Sequence, residues 1–261
     1  RLLLAASLVS AALACREGSV WLYQLMCRIA FKELRYEGDF TPIGLDYVIQ
    51  QPGNIGGLNW GSVSVDIPNN RIHKSDTKGQ LSTFLEDSQA CNGLMFDAMG
   101  RLVACQGKLN RLIALDLTTK RPTALADKCD EKPFGTPNDL VIDKQQGVYF
   151  TAPDTQSVYY VDAKGKTHLL LEGLAFPNGI VLTPDGKTIY LAESKKNRIL
   201  AYPVISPGKL GEMKVFCNLP EKKGEQIDNQ PDGMCLDTDG NLYVAHYGMK
   251  QVQVLSPAGK L

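Results

Sequence analysis

From Val63 onward, short apolar runs alternate with short polar turns in an order that repeats. Four times an amide or carboxylate introduces an apolar strand: Asn92-Gly-Leu-Met-Phe-Asp, Asn138-Asp-Leu-Val-Ile-Asp, Asn178-Gly-Ile-Val-Leu-Thr and Asp232-Gly-Met-Cys-Leu-Asp. Each passes through a turn, such as Asp97-Ala-Met-Gly100, Thr183-Pro-Asp-Gly186 or Asp237-Thr-Asp-Gly240, into a second apolar run. The second runs are Arg101-Leu-Val-Ala-Cys, Val148-Tyr-Phe-Thr, Thr188-Ile-Tyr-Leu-Ala and Asn241-Leu-Tyr-Val-Ala. Third strands follow at Arg71–Asp76, Arg111–Asp116, Ser157–Asp162 and Arg198–Pro203, and outer strands at Leu81–Leu85, Pro122–Ala126, Thr167–Leu171 and Met213–Cys217. The anchors lie 46, 40 and 54 residues apart. Four short strands at that period predict the blades of an all-β propeller.

One incomplete blade is expected over about residues 56–86, then three full blades, then a fifth that starts at Pro231 and stops before its outer strand. A propeller has to close, because open sheet edges attract other strands. The expectation is therefore a larger ring with about five blades present and the last missing. The division is 1–15, a leader; 16–55, an irregular segment without repeats; and 56–261, the propeller. Within the irregular segment, Trp21–Leu34 is apolar without clean alternation and compatible with a helix.

Composition narrows the partners. Twenty-eight Lys and Arg balance 28 Asp and Glu, and no basic run stands out, so no nucleic-acid partner is expected. Arg1-Leu-Leu-Leu-Ala-Ala-Ser-Leu-Val-Ser-Ala-Ala-Leu-Ala-Cys15 is a basic residue, an apolar run and a small-residue end. It is too short to span a bilayer as a helix and reads as most of a secretory signal. Ala12-Leu13-Ala14-Cys15 also resembles a lipoprotein cleavage box, so export is expected, into the periplasm, by secretion or with a lipid anchor at Cys15. None of the seven cysteines has a Cys-x-x-Cys neighbour, and Cys105 and Cys235 fall inside apolar runs as small hydrophobes.

The repeated polar anchors carry the candidate chemistry. Asn-Gly and Asp-Gly pairs ordinarily mark turns. Here they recur in one phase, directly before each innermost strand. A ring would bring Asn92, Asn138, Asn178 and Asp232 round one axis. Amide and carboxylate oxygens without Cys or His suit Ca²⁺, Mg²⁺ or Mn²⁺, with Zn²⁺ a less usual choice. No Gly-x-Ser-x-Gly elbow supports a serine esterase. His73 and His168 fall in strands, and His246 falls where it either faces the channel or serves the structure.

Together with Asp66-Ile-Pro-Asn-Asn-Arg-Ile, Ser82-Thr-Phe-Leu, Asn92-Gly-Leu, Thr136-Pro-Asn-Asp, Pro177-Asn-Gly and Pro231-Asp-Gly-Met-Cys, the chain resembles the gluconolactonase/regucalcin family over about residues 56–261. The resemblance implies a six-bladed propeller holding one divalent cation in its channel and hydrolysing sugar lactones. It implies Asn178 and Asp232 as metal ligands, Asn138 as a ligand to metal or substrate, and Asn92 at the substrate. The family's Glu-Gly-Pro-x-Trp is imperfectly matched by Glu17-Gly-Ser-Val-Trp21, about 45 residues upstream of Asp66, making Glu17 the nominal fourth ligand. Gly56-Gly-Leu-Asn-Trp60 has the expected distance but Gly in place of Glu. A cation polarising the lactone carbonyl, with Asp232 assisting water, is the mechanism implied. The alternatives are a propeller that binds a ligand or protein without catalysis, and a strictosidine synthase-like enzyme.

Overall fold

The computed structural model describes residues 60–76, 80–221, 229–247, 249 and 251–261. The leader with Cys15, the irregular segment and Glu17 lie outside the described residues. Among those described, no helix is long and apolar enough to cross a membrane.

Twenty-one short strands form five antiparallel sheets and one small hairpin. The first sheet orders β1 (Trp60–Asp66), β2 (Arg71–Asp76) and β3 (Leu81–Leu85). The second orders β4 (Cys91–Phe96), β5 (Leu102–Gln106), β6 (Arg111–Leu115) and β7 (Pro122–Ala126). A hairpin of β8 (Lys128–Cys129) and β9 (Lys132–Pro133) leads into the third sheet. That sheet orders β10 (Leu140–Ile142), β11 (Val148–Ala152), β12 (Ser157–Val161) and β13 (Thr167–Leu171). In the fourth, β14 (Pro177–Leu182) and β15 (Thr188–Glu193) precede the long β16 (Arg198–Ser206). The far half of β16 turns back on β17 (Lys209–Leu210), and its first half pairs with the outer strand β18 (Lys214–Asn218). The fifth sheet is β19 (Gln230–Leu236), β20 (Leu242–Tyr247) and β21 (Gln251–Leu255).

This is the blade order expected from the repeat. Just as β13 leads into the innermost β14, β3 leads into the innermost β4, so β1–β3 are second, third and outer strands. The two hairpins β8–β9 and β16–β17 carry no repeat signal and were not legible in the pattern.

The core lies between the sheets rather than within them. Every residue of β5 is buried because both faces are covered. Leu102 and Ala104 pack with Val63, Val65, Ile72 and Phe84 of the first sheet. Val103 and Cys105, pointing the other way, pack with Val141, Tyr149 and Phe150 of the third. Likewise Leu191 joins the third-sheet cluster while Ala192 joins Leu242, Val244 and Leu255 of the fifth. Burial on both faces explains why inner strands read as continuous apolar runs while outer ones such as β7, exposed over Pro122–Ala124, do not.

The turns after the innermost strands are held by one repeated device. Asp97 Oδ1 accepts the Met99 and Arg101 N–H groups (3.0 and 2.8 Å), Asp143 Oδ1 those of Gln145 and Gly147, and Asp237 Oδ1 those of Asp239 and Asn241. Gly100 completes its turn at φ +74°, a conformation that costs a side chain strain. The second, third and fifth sheets thus begin with a self-sufficient hairpin, and in the fourth Thr183 and Asp185 hold the equivalent turn.

Candidate functional site

The Asn-Gly and Asp-Gly pairs are not turns. Asn92-Gly93 lies inside β4, Asn178-Gly179 inside β14 and Asp232-Gly233 inside β19, each at an irregularity of the strand register. None of these glycines has positive φ. What demands glycine is the next blade. A Cβ on Gly179 would stand 2.2 Å from the Asp232 carbonyl oxygen, and one on Gly93 would stand 2.7 Å from Asp139 Cα. The inner strands approach backbone to backbone at the hub, leaving no room for a side chain. Asn138-Asp139 forms an extended lead-in to β10 rather than part of a strand.

Polar contacts stitch these inner segments together across blades. Gly93 N–H donates to the Asn138 carbonyl at 2.7 Å. Thr151 of β11 receives the Asn138 N–H on its carbonyl (2.8 Å), and its hydroxyl donates to the Asn178 carbonyl (2.8 Å). Ile180 N–H donates to Asp139 Oδ2 at 3.1 Å, and Leu140 N–H to Asp139 Oδ1 at 3.0 Å. Ser194 Oγ donates to the Pro231 carbonyl at 2.6 Å.

The four anchors expected from sequence are placed unequally. Asn178 and Asp232 meet, the amide donating to the carboxylate. Asn138 neighbours Asn178 through Thr151, and its Oδ1 is buried without a hydrogen-bond partner. Asn92 is half-buried in the same frame of β4, and no hydrogen bond among the described residues ties its side chain to the other three. Asp232 is 8% exposed, and burial, reinforced by the negative charge of Asp139, raises its carboxyl to about 6 despite bonds from Asn178 and the Gly233 N–H.

Asp139 is the hub residue that sequence reasoning passed over. It occupies the second position of the Asn-Asp frame, where the other three repeats carry glycine, and that single departure was the available signal. His246, for which the sequence allowed a channel-facing or a structural role, is fully buried on β20. Its Nε2 lies 2.8 Å from Asn197 Oδ1 and its Nδ1 3.3 Å from Gln253, and burial lowers its basicity. It braces the fifth sheet against the fourth. Cys105 is buried as expected, while Cys235 is only half-buried; all five described cysteines are free thiols.

Among the described residues no three His, Cys, Asp or Glu side chains gather at metal-ligand spacing. The donors present are instead two amides and a carboxylate, with a second carboxylate beside them. An amide oxygen buried without a partner costs about 1–3 kcal/mol unless something ligates it. A hard cation meets that requirement, and it also offsets the crowding of Asp232 by Asp139.

A family model described as the SMP-30/Gluconolactonase/LRE-like region matches residues 61–261. A gluconolactonase of Zymomonas mobilis subsp. mobilis is 25% identical over 226 residues, 75% of this chain and 63% of its own length. Among solved structures, a gluconolactonase from Xanthomonas campestris superposes with TM-score 0.68 at 24% identity, covering 76% of this chain and 69% of its own. A calcium-binding regucalcin from Agrobacterium tumefaciens str. C58 superposes with TM-score 0.62 at 22% identity over 76% of this chain and 67% of its own. The chain thus spans about two thirds of the length of these proteins. The match over residues 61–261, most of the described chain, places it in the SMP-30/Gluconolactonase/LRE-like family.

Proposed function

We propose that the hub is the working centre of a divalent-cation-dependent lactonase acting on sugar lactones. The observation that carries this reading is the buried, partnerless Asn138 Oδ1 beside the joined Asn178–Asp232 pair. The relatives named gluconolactonase and the calcium-binding neighbour supply the substrate class and the ion class.

Asn138, Asn178 and Asp232 would hold the cation, with Glu17, outside the described residues, as the fourth ligand the resemblance implies. Bound there, a cation supplies Lewis acidity to an ester carbonyl oxygen. Asn178 donates its amide N–H to Asp232, which leaves its Oδ1 as the atom that would ligate the cation. Asp232 takes a proton from water as the water oxygen bonds to the lactone carbonyl carbon. The ring C–O bond then breaks, and the same proton goes to the departing ring oxygen, leaving the open hydroxy acid. The raised proton affinity of Asp232 belongs to the cation-free site, and a bound cation would draw it back down, keeping the carboxylate ionised to accept the proton. Asn138 and Asn92 would position the substrate.

The test is hydrolysis of glucono-1,5-lactone after chelation and after return of Ca²⁺, Mg²⁺, Mn²⁺ or Zn²⁺. Activity should vanish on chelation and return with at least one ion. Asp232→Ala should abolish it, a loss of about 10²–10⁴-fold for removal of a general base alone. Asn178→Ala should reduce it strongly. Full activity in Asp232→Ala, or activity indifferent to chelation, refutes the mechanism.

A further inference from the structure

We infer that Asp139 is a positioning residue that sets the separation of Asn138 and Asn178 by tying the inner segments of the third and fourth sheets together. The inference rests on the cation-site reading above. Three observations support it. First, its two carboxylate oxygens are committed to backbone N–H groups on different blades: Oδ1 to Leu140 at 3.0 Å and Oδ2 to Ile180 at 3.1 Å. Ile180 stands two residues beyond Asn178, and Asn138 directly precedes Asp139, so this strut spans the two amide anchors.

Second, the neighbouring blade is cut to fit it. A Cβ on Gly93 would come within 2.8 Å of Asp139 Oδ1 and 3.0 Å of the Asn138 carbonyl oxygen. The Asp139 carboxylate fills space that a side chain on β4 would otherwise claim. Third, the other interblade junctions are made differently. Between the fourth and fifth sheets, Gly179 lets the backbones touch, and Ser194 and Asn178 supply the side-chain bonds. Of the four frames only the second, Asn138-Asp139 leading into the third sheet, places a carboxylate at the second position, between the two anchors whose oxygens must converge.

A carboxylate is required there because both groups it faces are donors. An amide of the same shape can accept one N–H through its oxygen but presents its NH₂ to the other, replacing a bond by a donor–donor contact. Asp139→Asn should therefore loosen the Asn138–Asn178 spacing without emptying the position, and Asp139→Ala should both loosen and empty it.

The experiment measures three quantities on wild type, Asp139→Asn and Asp139→Ala at a temperature where each is fully folded. These are Ca²⁺ and Mn²⁺ affinity by titration calorimetry, hydrogen exchange of the peptide containing Ile180, and thermal stability. Affinity should fall tenfold or more in Asp139→Asn, and exchange at Ile180 should speed up well beyond that at the corresponding Met234 of β19. A purely structural residue would lower the melting temperature and leave both the affinity of the folded protein and the relative exchange at Ile180 unchanged, which would overturn the inference. If wild type binds neither cation, the functional reading fails on its own account. The strut is then judged by exchange alone: unchanged Ile180 exchange in Asp139→Asn rejects it, and selective acceleration upholds it.

Discussion

Gly179→Ala is the sharpest probe of how the hub is built. The added methyl would sit 2.2 Å from the Asp232 carbonyl oxygen and 3.1 Å from both the Asp232 carbonyl carbon and Gly233 Cα. All three atoms are backbone, so no side-chain rotation relieves the clash. Ordinary contact begins at 3.4 Å, and the inner strands of the fourth and fifth sheets would have to part by about 1 Å. Overpacking of this kind costs about 1–3 kcal/mol where the core can yield, and more where it cannot. Here Ser194 Oγ on the Pro231 carbonyl and Asn178 on Asp232 resist the separation, so a loss of at least about 3 kcal/mol is expected from that range. For a domain of this size that is a fall in Tm of about 6–12 °C. The control is Gly100→Ala, at φ +74° with nothing within 4 Å, where strain alone should cost about 1–2 kcal/mol. Differential scanning calorimetry gives both losses, and lactone hydrolysis below either melting range gives activity. Gly179→Ala should lose activity as well as stability, while Gly100→Ala keeps its activity. A Gly179→Ala protein that melts with wild type and hydrolyses normally would show that the inner strands do not meet as described.

Three further perturbations separate function from fold. Asn138→Ala removes a buried oxygen that has no partner, so in chelated protein it should leave Tm unchanged or raise it while reducing hydrolysis; a clear drop in Tm would mean that Oδ1 has a structural partner. Asp232, raised from an ordinary 3.8 to about 6, favours the fold while protonated and loses that contribution as pH rises through about 6. Metal-free wild type should thus lose up to about 3 kcal/mol from this group between pH 4 and pH 7.5, relative to Asp232→Asn; parallel stability curves for the two proteins would refute the shift. Glu193 runs the other way. It is 1% exposed, and although burial alone would raise its carboxyl, the Ala175 N–H, Arg198 and Lys196 outweigh that and hold it below the usual range. Glu193→Gln should cost about 1–3 kcal/mol by leaving half-buried Arg198 without its charge partner, with chemical denaturation as the readout, and no measurable cost would show the network to be solvated.

The blade order was legible because each hairpin is satisfied locally. The Asp97, Asp143 and Asp237 turns bond to their own neighbours within four residues, and the strands between them are apolar whichever sheet they face. The β8–β9 and β16–β17 hairpins were not legible because they answer to tertiary partners. Gly208, beyond β16, donates its N–H to the Tyr149 hydroxyl of the third sheet at 2.9 Å, a contact 59 residues distant in sequence. The anchors themselves were found by phase, yet the reason for their glycines was misread. Local propensity assigns Asn-Gly to a turn, whereas the fold uses the missing Cβ of Gly93 and Gly179 to admit a neighbouring backbone.

The same contrast sets the hub apart as the place proposed for function. Away from the hub the Asp97, Asp143 and Asp237 turns close most of their hydrogen bonds locally, so a substitution there perturbs chiefly one hairpin. At the hub the strands cannot satisfy one another fully, because adjacent register irregularities at residues 91–94, 177–180 and 231–234 break the ladders where they converge. The side chains of Asp139, Thr151, Ser194 and Asn178 repair most of that deficit across blades. What they leave unrepaired is one amide oxygen on Asn138, beside an Asp232 carboxylate whose burial is only partly offset by Asn178 and the Gly233 N–H. In the proposed function a cation would ligate the Asn138 oxygen and offset the Asp232 charge, at less cost than repacking the backbone around them.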